Sequence, residues 1–328
     1  MNEEKIEEVK NSKNGNAWVI IICIIIIAIA VGAYFYFTQR HQKEIDVQKQ
    51  AQQQELEEKK FQDESAIFSL EEYPNVDCST VMIPMAQKFM ADFTKTAEED
   101  VEVTSSKTDG AYKNLISGNA DLILVVDPSE DEIKLAQDAG VELTSYKVAN
   151  EGFVFFTNTQ NKVDNLTLEQ IQKIYTGEIK NWSEVGGDNQ EIIAYQRPEN
   201  SGSQTGMLDL VMKGLKLMTA PMENIAASMS DIIDLVSNYQ SNPGAIGYSY
   251  YYYASSMYGN DELKLLSVNG VKPSNETIKN ETYPIKTAYY IVIRKSDENN
   301  ENIKKLVDAM LSERGQKLVE EAGYVAIK

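Results

Sequence analysis

The twelve residues QRPENSGSQTGM (196–207) hold the densest set of groups in the chain able to grip an anion. Arg197 carries a forked guanidinium that matches a tetrahedral oxyanion, and Ser201, Ser203 and Thr205 add hydroxyl donors. Gly202 lets the backbone come close to a ligand. The apolar run 192–195 reads as a buried strand, and Met207, Leu208, Leu210, Val211 and Leu215 follow helical spacing. A strand, a tight turn and a helix N-terminus aim free backbone N–H groups and the positive end of the helix dipole at whatever sits above the turn. The same residues also suit a serine N-cap beside a surface arginine, so the choice rests on the remainder of the chain.

Two more turns of this kind occur. Ser79-Thr80 precedes a helix marked by Met85, Phe89 and Phe93, and Thr108-Asp109-Gly110 opens one marked by Tyr112, Leu115 and Ile116. Three Ser/Thr turns at helix starts, with Arg197 four residues before the last, converge on an oxyanion site. The elements that must position them alternate between strand and helix, the pattern of an α/β fold. Strands are predicted over 101–104, over 120–126 (the continuous apolar run of a buried parallel strand), and over 151–157, 245–248 and 283–294. Helices are predicted over 165–177, with Thr167 as N-cap and Gly177 as stop, and over 231–239. Ile303, Leu306, Val307, Met310 and Leu311 mark a later helix, and a shorter one precedes Gly323. Ser129 and Glu132 form a capping box after the Asp127-Pro128 turn.

Composition excludes several classes. A net charge of −19 repels nucleic-acid phosphates, and any anion site must work through local donors. One histidine (His41) and two cysteines (Cys23 and Cys78) cannot build a His/Cys metal cluster. His41 lies beside an apolar segment far from the folded region, so no Ser-His-Asp triad is credible, and an enzyme has no activated nucleophile to rest on. No cofactor is implied.

The N-terminal part reads separately. Residues 1–16 are a short polar tail. Residues 17–37 form an uncharged run of 21 residues, roughly 31 Å long as a helix, which matches a bilayer core. Trp18, Tyr34 and Tyr36 sit where interfacial aromatics belong. The run exceeds a signal-peptide core and lacks a small-x-small cleavage site, so an uncleaved transmembrane helix is expected. The flanking cations do not fix its orientation: Lys10 and Lys13 precede it, while Arg40, Lys43 and Lys49 follow. Residues 38–65, rich in Gln, Glu and Lys without a heptad, read as a helical stalk. The folded domain spans 66–328.

The segments IYTGEIKNWSEVGG (174–187), RPENSGS (197–203) and NPGAIGY (242–248), with Ser79-Thr80, PMAQKF (84–89) and GNAD (118–121), resemble the phosphate-binding solute receptors of ABC phosphate transporters. The resemblance covers roughly 67–327. It implies a two-lobed, type II periplasmic-binding-protein fold that closes on one ligand. Lobe one would hold about 66–150 and 285–328, and lobe two about 151–284. It implies that Ser79, Thr80, Thr108, Arg197, Ser201, Gly202 and Ser203 bind phosphate, with Asp127 as acceptor for the ligand's proton. The chain departs from the family at Cys78, where glycine is usual, and at Val125 and Val126, where small or serine residues are usual. Cys78 reads as a small buried apolar residue, and the run YSYYYY (248–253) as packing. The implied function is a membrane-anchored extracellular receptor that hands inorganic phosphate to ABC permease subunits. The alternative is an oxyanion-sensing or adaptor protein that reuses the fold without transport.

Overall fold

A computed structural model describes residues 22, 32, 35–45, 47–50, 65–199 and 201–327. The chain divides into two units, 1–65 and 66–328. In the first, residues 35–45 and 47–50 are helical, with Phe35, Tyr36 and Phe37 exposed, and most of the expected stalk at 38–65 lies outside the described residues. No helix among the described residues is long and apolar enough to cross a membrane, and most of the expected span at 17–37 lies outside them.

In the second unit, chain order runs from strand β1 (Val76–Cys78) through helices α1 (Ile83–Thr94) and α2 (Lys107–Ser117) to β2 (Leu122–Val125). Next come α3 (Glu130–Asp138), the long β3 (Leu143–Asn158), β4 (Asn165–Leu166), α4 (Leu168–Thr176) and β5 (Ile193–Ala194). A short helix α5 (Gly202–Gly206) leads to α6 (Met229–Ser237), β6 (Ala245–Tyr250), β7 (Leu263–Leu265) and β8 (Ser267–Val268). The chain ends with α7 (Asn275–Lys279), β9 (Lys286–Arg294), α8 (Glu301–Leu311), α9 (Glu313–Glu321) and β10 (Val325–Ala326). The main sheet is ordered β1-β2-β9-β3-β6-β5, with β7 and β10 also on β3.

Strand β3 joins the two halves of this sheet. Its residues from Leu143 to Gly152 pair antiparallel with β9. From Phe153 onward they pair with β6, and the last three with β7. The partner therefore changes at Glu151-Gly152-Phe153. On one side Ala111, Tyr112, Leu115, Ile123, Val125 and Val292 form a closed apolar cluster. On the other, the rings of Phe153, Phe155, Tyr175 and Tyr248 pack with centroids 5.5–6.2 Å apart, the spacing of edge and tilted aromatic pairs.

Local sequence signals explain most helix ends. Ser129 and Glu132 close the capping box at α3, Thr167 and Gln170 do so at α4, and Gly177 ends α4 at φ 82°. Two expectations are corrected. Residues 101–104 form no strand; β1 is three residues long and offers only Thr104 a bridge, opposite Asp77. The helix expected from 207 is α5 widening into π turns over Met207–Met212, ended by Lys213 at φ 47°. The strand expected over 151–157 is the second half of β3, whose first half is polar enough to escape an apolar-run reading.

Candidate anion-binding site

One cleft of about 480 Å³ is lined by Ser79, Thr80, Thr108, Arg197, Ser201, Gly202 and Ser203, seven of the eight expected site residues. Six of them reach it from the start of a helix or helical turn, and Arg197 reaches it from the loop between β5 and α5. Ser79 follows β1, where its amide donates to Leu124 O at 3.0 Å, and Thr80 begins a turn that runs into α1. Thr108 lies inside the first turn of α2, whose N-cap is Ser106. Ser201 caps α5, accepting from the Gln204 amide at 3.3 Å, and Gly202 and Ser203 are its first residues.

The side chains are prepared for a ligand that brings negative charge. Ser79 Oγ is buried with no partner among the described residues. Ser203 is 2% exposed and Arg197 is 8% exposed. The Arg197 guanidinium is held by Nε donating to Ser203 Oγ at 3.4 Å and by Nη1 donating to Ala226 O. Its backbone amide donates to Gln204 Oε1 and to Tyr248 Oη, both at 3.1 Å. Burial lowers the Arg197 pKa from its ordinary value, offset in part by the charges of neighbours that include Asp231, and no carboxylate lies within ion-pair distance of it among the described residues. An arginine buried without an anion is costly, and a bound oxyanion relieves that cost.

Gly202 is the point where the two sides meet. A Cβ there would lie 2.7 Å from Thr108 Oγ1 and 3.0 Å from Val126 Cγ2, closer than side chains tolerate. The glycine is thus required by the close approach of the turn at 201–203 to the turn at 108. Tyr250 steadies this contact by donating its hydroxyl to Gly202 O at 2.7 Å.

Asp127 stands apart. It follows β2 with its side chain exposed overall and outside the cleft lining, where Val126 faces instead. Its carboxyl pKa is raised by partial desolvation and by the Asp209 charge. Cys78 is fully buried, its Sγ donating to Thr104 O at 3.4 Å, and burial pushes the thiol up to about 12.

Residue-level reading missed several groups. Asp77, 1% exposed, accepts from the Cys78 amide at 2.7 Å, the Ser106 amide at 2.9 Å and Asn114 Nδ2 at 2.7 Å, which ties β1 to the start of α2. An aspartate one residue before Cys78-Ser79 is the available signal, but its partners are 29 and 37 residues away. Ser228 and Ser230 line the far side of the cleft, and Ser228 with Asp231 makes a capping box readable from spacing. Within YSYYYY, Tyr248 packs as expected, whereas Tyr250 and Tyr253 line the cleft.

A profile of the PBP superfamily domain matches residues 71–314. The phosphate-binding protein PstS of Staphylococcus saprophyticus is 30% identical over 262 residues, covering 76% of this chain and 79% of that protein. The protein of the same name from Borreliella burgdorferi is 32% identical over 207 residues, or 61% of this chain and 71% of that one. The chain belongs to the PBP superfamily and is of the PstS type. Among solved structures, a phosphate ABC transporter substrate-binding protein from Clostridium perfringens, with bound phosphate, is 28% identical with a TM-score of 0.62. It covers 77% of this chain and 98% of its own. Proteins of this family are substrate-binding receptors, so the anion cleft is read as a place to hold a ligand rather than transform one.

Proposed function

We propose that the chain captures inorganic phosphate for an ABC-type importer, binding it with Ser79, Thr80, Thr108, Arg197, Ser201, Gly202 and Ser203. The observation that carries this reading is the convergence of three hydroxyl-bearing helix starts on a buried arginine that has no carboxylate partner among the described residues. Names borne by the relatives, phosphate-binding proteins in two species, support the same ligand. Hydrogen bonds to ionised groups in a water-poor cleft carry the affinity. Asp127 is left out of the ligand set because it lies outside the lining.

The lobes of this trap are residues 66–150 with 285–328, and 151–284, hinged where β3 exchanges β9 for β6. The domain is carried outside the cell by a transmembrane helix over 17–37 and a stalk over 38–65. The apolar run and the exposed Phe35, Tyr36 and Phe37 at its end support that anchor. The permease subunits of the importer are the receiving partner.

Calorimetry of the detergent-solubilised full chain, stripped of ligand, tests the reading. Phosphate is expected to bind and outcompete sulfate. Arg197→Ala should weaken phosphate binding by at least about 100-fold, two charge-assisted hydrogen bonds at about 1.5–3 kcal/mol each. No heat with either anion overturns phosphate capture and leaves a sensing or adaptor role for the fold.

A further inference from the structure

Residue 107 has a backbone that asks for glycine and a side chain that is lysine. Lys107 sits at φ 62°, in the left-handed region, between the N-cap Ser106 and the site residue Thr108. That conformation is unfavourable for a residue with a Cβ and persists only where its surroundings impose it. Here they do. Asp77 Oδ1 accepts from the Ser106 amide at 2.9 Å, Asn114 Nδ2 donates to Ser106 Oγ at 3.1 Å, and Ser105 Oγ donates to Cys78 O at 3.1 Å. Glycine would adopt the same geometry without strain, so the backbone alone gives no reason for a lysine.

The reason lies in the cleft. Lys107 is exposed and lines it, with no ion-pair or hydrogen-bond partner among the described residues. The other cation in the lining is Arg197, and part of its guanidinium is already committed to Ser203 Oγ and Ala226 O. Of the two carboxylates that line the cleft, Asp109 is paired with Lys113 at 2.7 Å, and Glu199 is the other. A chain of net charge −19 repels a doubly charged anion at long range, and one partly committed arginine leaves such an anion under-neutralised.

We infer that Lys107 is a second cationic ligand of this site: its ammonium closes over the outward oxygens of the bound oxyanion and favours the doubly charged form. The inference rests on the phosphate-capture reading. A flexible four-carbon stem on a fixed loop suits this task, since it leaves the mouth open to the incoming ion and folds onto it afterwards.

The test is calorimetry of the full chain with inorganic phosphate at 50 mM and 200 mM salt, on wild type and on Lys107→Gly, Lys107→Gln and Lys107→Arg. Loss of one charge-assisted contact predicts at least about tenfold weaker binding in the Gly and Gln variants, with a shallower salt dependence. Lys107→Arg should retain most of the affinity. Lys107→Gly should unfold at the same or a higher temperature than wild type, because it relieves the strained φ, so its lost affinity cannot be a folding defect. Wild-type affinity in both neutral variants overturns the inference while leaving phosphate capture intact; an ammonium that pairs with Glu199 across the cleft would produce that result. A wild type that gives no heat with phosphate overturns both.

Discussion

Glu151 lies where β3 changes partners, 3% exposed, and accepts from the Gly152 amide at 2.7 Å and, at 3.3–3.4 Å, from the Tyr252 amide. Burial pushes its carboxyl up to about 7 from an ordinary 4.5, offset in part by the Tyr289 hydroxyl and by backbone amides. The titratable groups beside it are Tyr250, Tyr252, Tyr289 and Tyr324, none of which supplies a positive charge. Because the folded state holds this proton more tightly than the unfolded chain, the folded state gains most at low pH. That gain disappears as pH rises from about 4.5 through about 7. A rise of that size corresponds to about 3 kcal/mol. Glu151→Gln cannot ionise and should be free of the loss.

The assay is thermal unfolding of both proteins in matched ionic strength from pH 5 to pH 8.5. Subtracting the two curves cancels the titration of the other carboxylates, which matters in a chain carrying 50 of them. Wild type should fall relative to the variant by roughly 6 °C or more, the shift that about 3 kcal/mol produces in a domain of this size. Parallel curves across the whole range would refute the reasoning. They would mean that Glu151 is ionised at ordinary pH in the fold, with a partner or water supplying the missing stabilisation.

Two further perturbations probe the cleft. Gly202→Ala places a methyl against Thr108 Oγ1 and should weaken phosphate binding by about tenfold or more, with a modest loss of stability from overpacking. Unchanged calorimetric affinity would show that the two turns need not approach each other in the bound state. Asp77→Asn replaces an acceptor of three N–H groups by an amide that can serve only part of them. It should raise amide hydrogen exchange at Ser105–Lys107 and weaken binding several-fold, about 1 kcal/mol. Unaltered exchange there would mean that β1 and α2 hold the loop without it.

The sequence by itself determined the strand–turn–helix modules, because their signals are local. Periodicity, the capping boxes at Ser129 and Thr167, and the stop at Gly177 act over a few residues and survive into the structure with small changes in bounds. The hydroxyl-bearing helix starts and Arg197 belong to the same class, so the makings of the anion site were legible before any contact was known. Tertiary structure decided what those modules meet. That Gly202 touches Thr108, that Asp77 anchors Ser106, and that Tyr250 reaches the Gly202 carbonyl are contacts across 94, 29 and 48 residues. No local pattern encodes them. The end of β2 shows the same limit at its sharpest. Side chains on a strand alternate between faces, so a shift of a single position decides whether Val126 or Asp127 looks into the cleft, and only packing against β1 and β9 fixes that register.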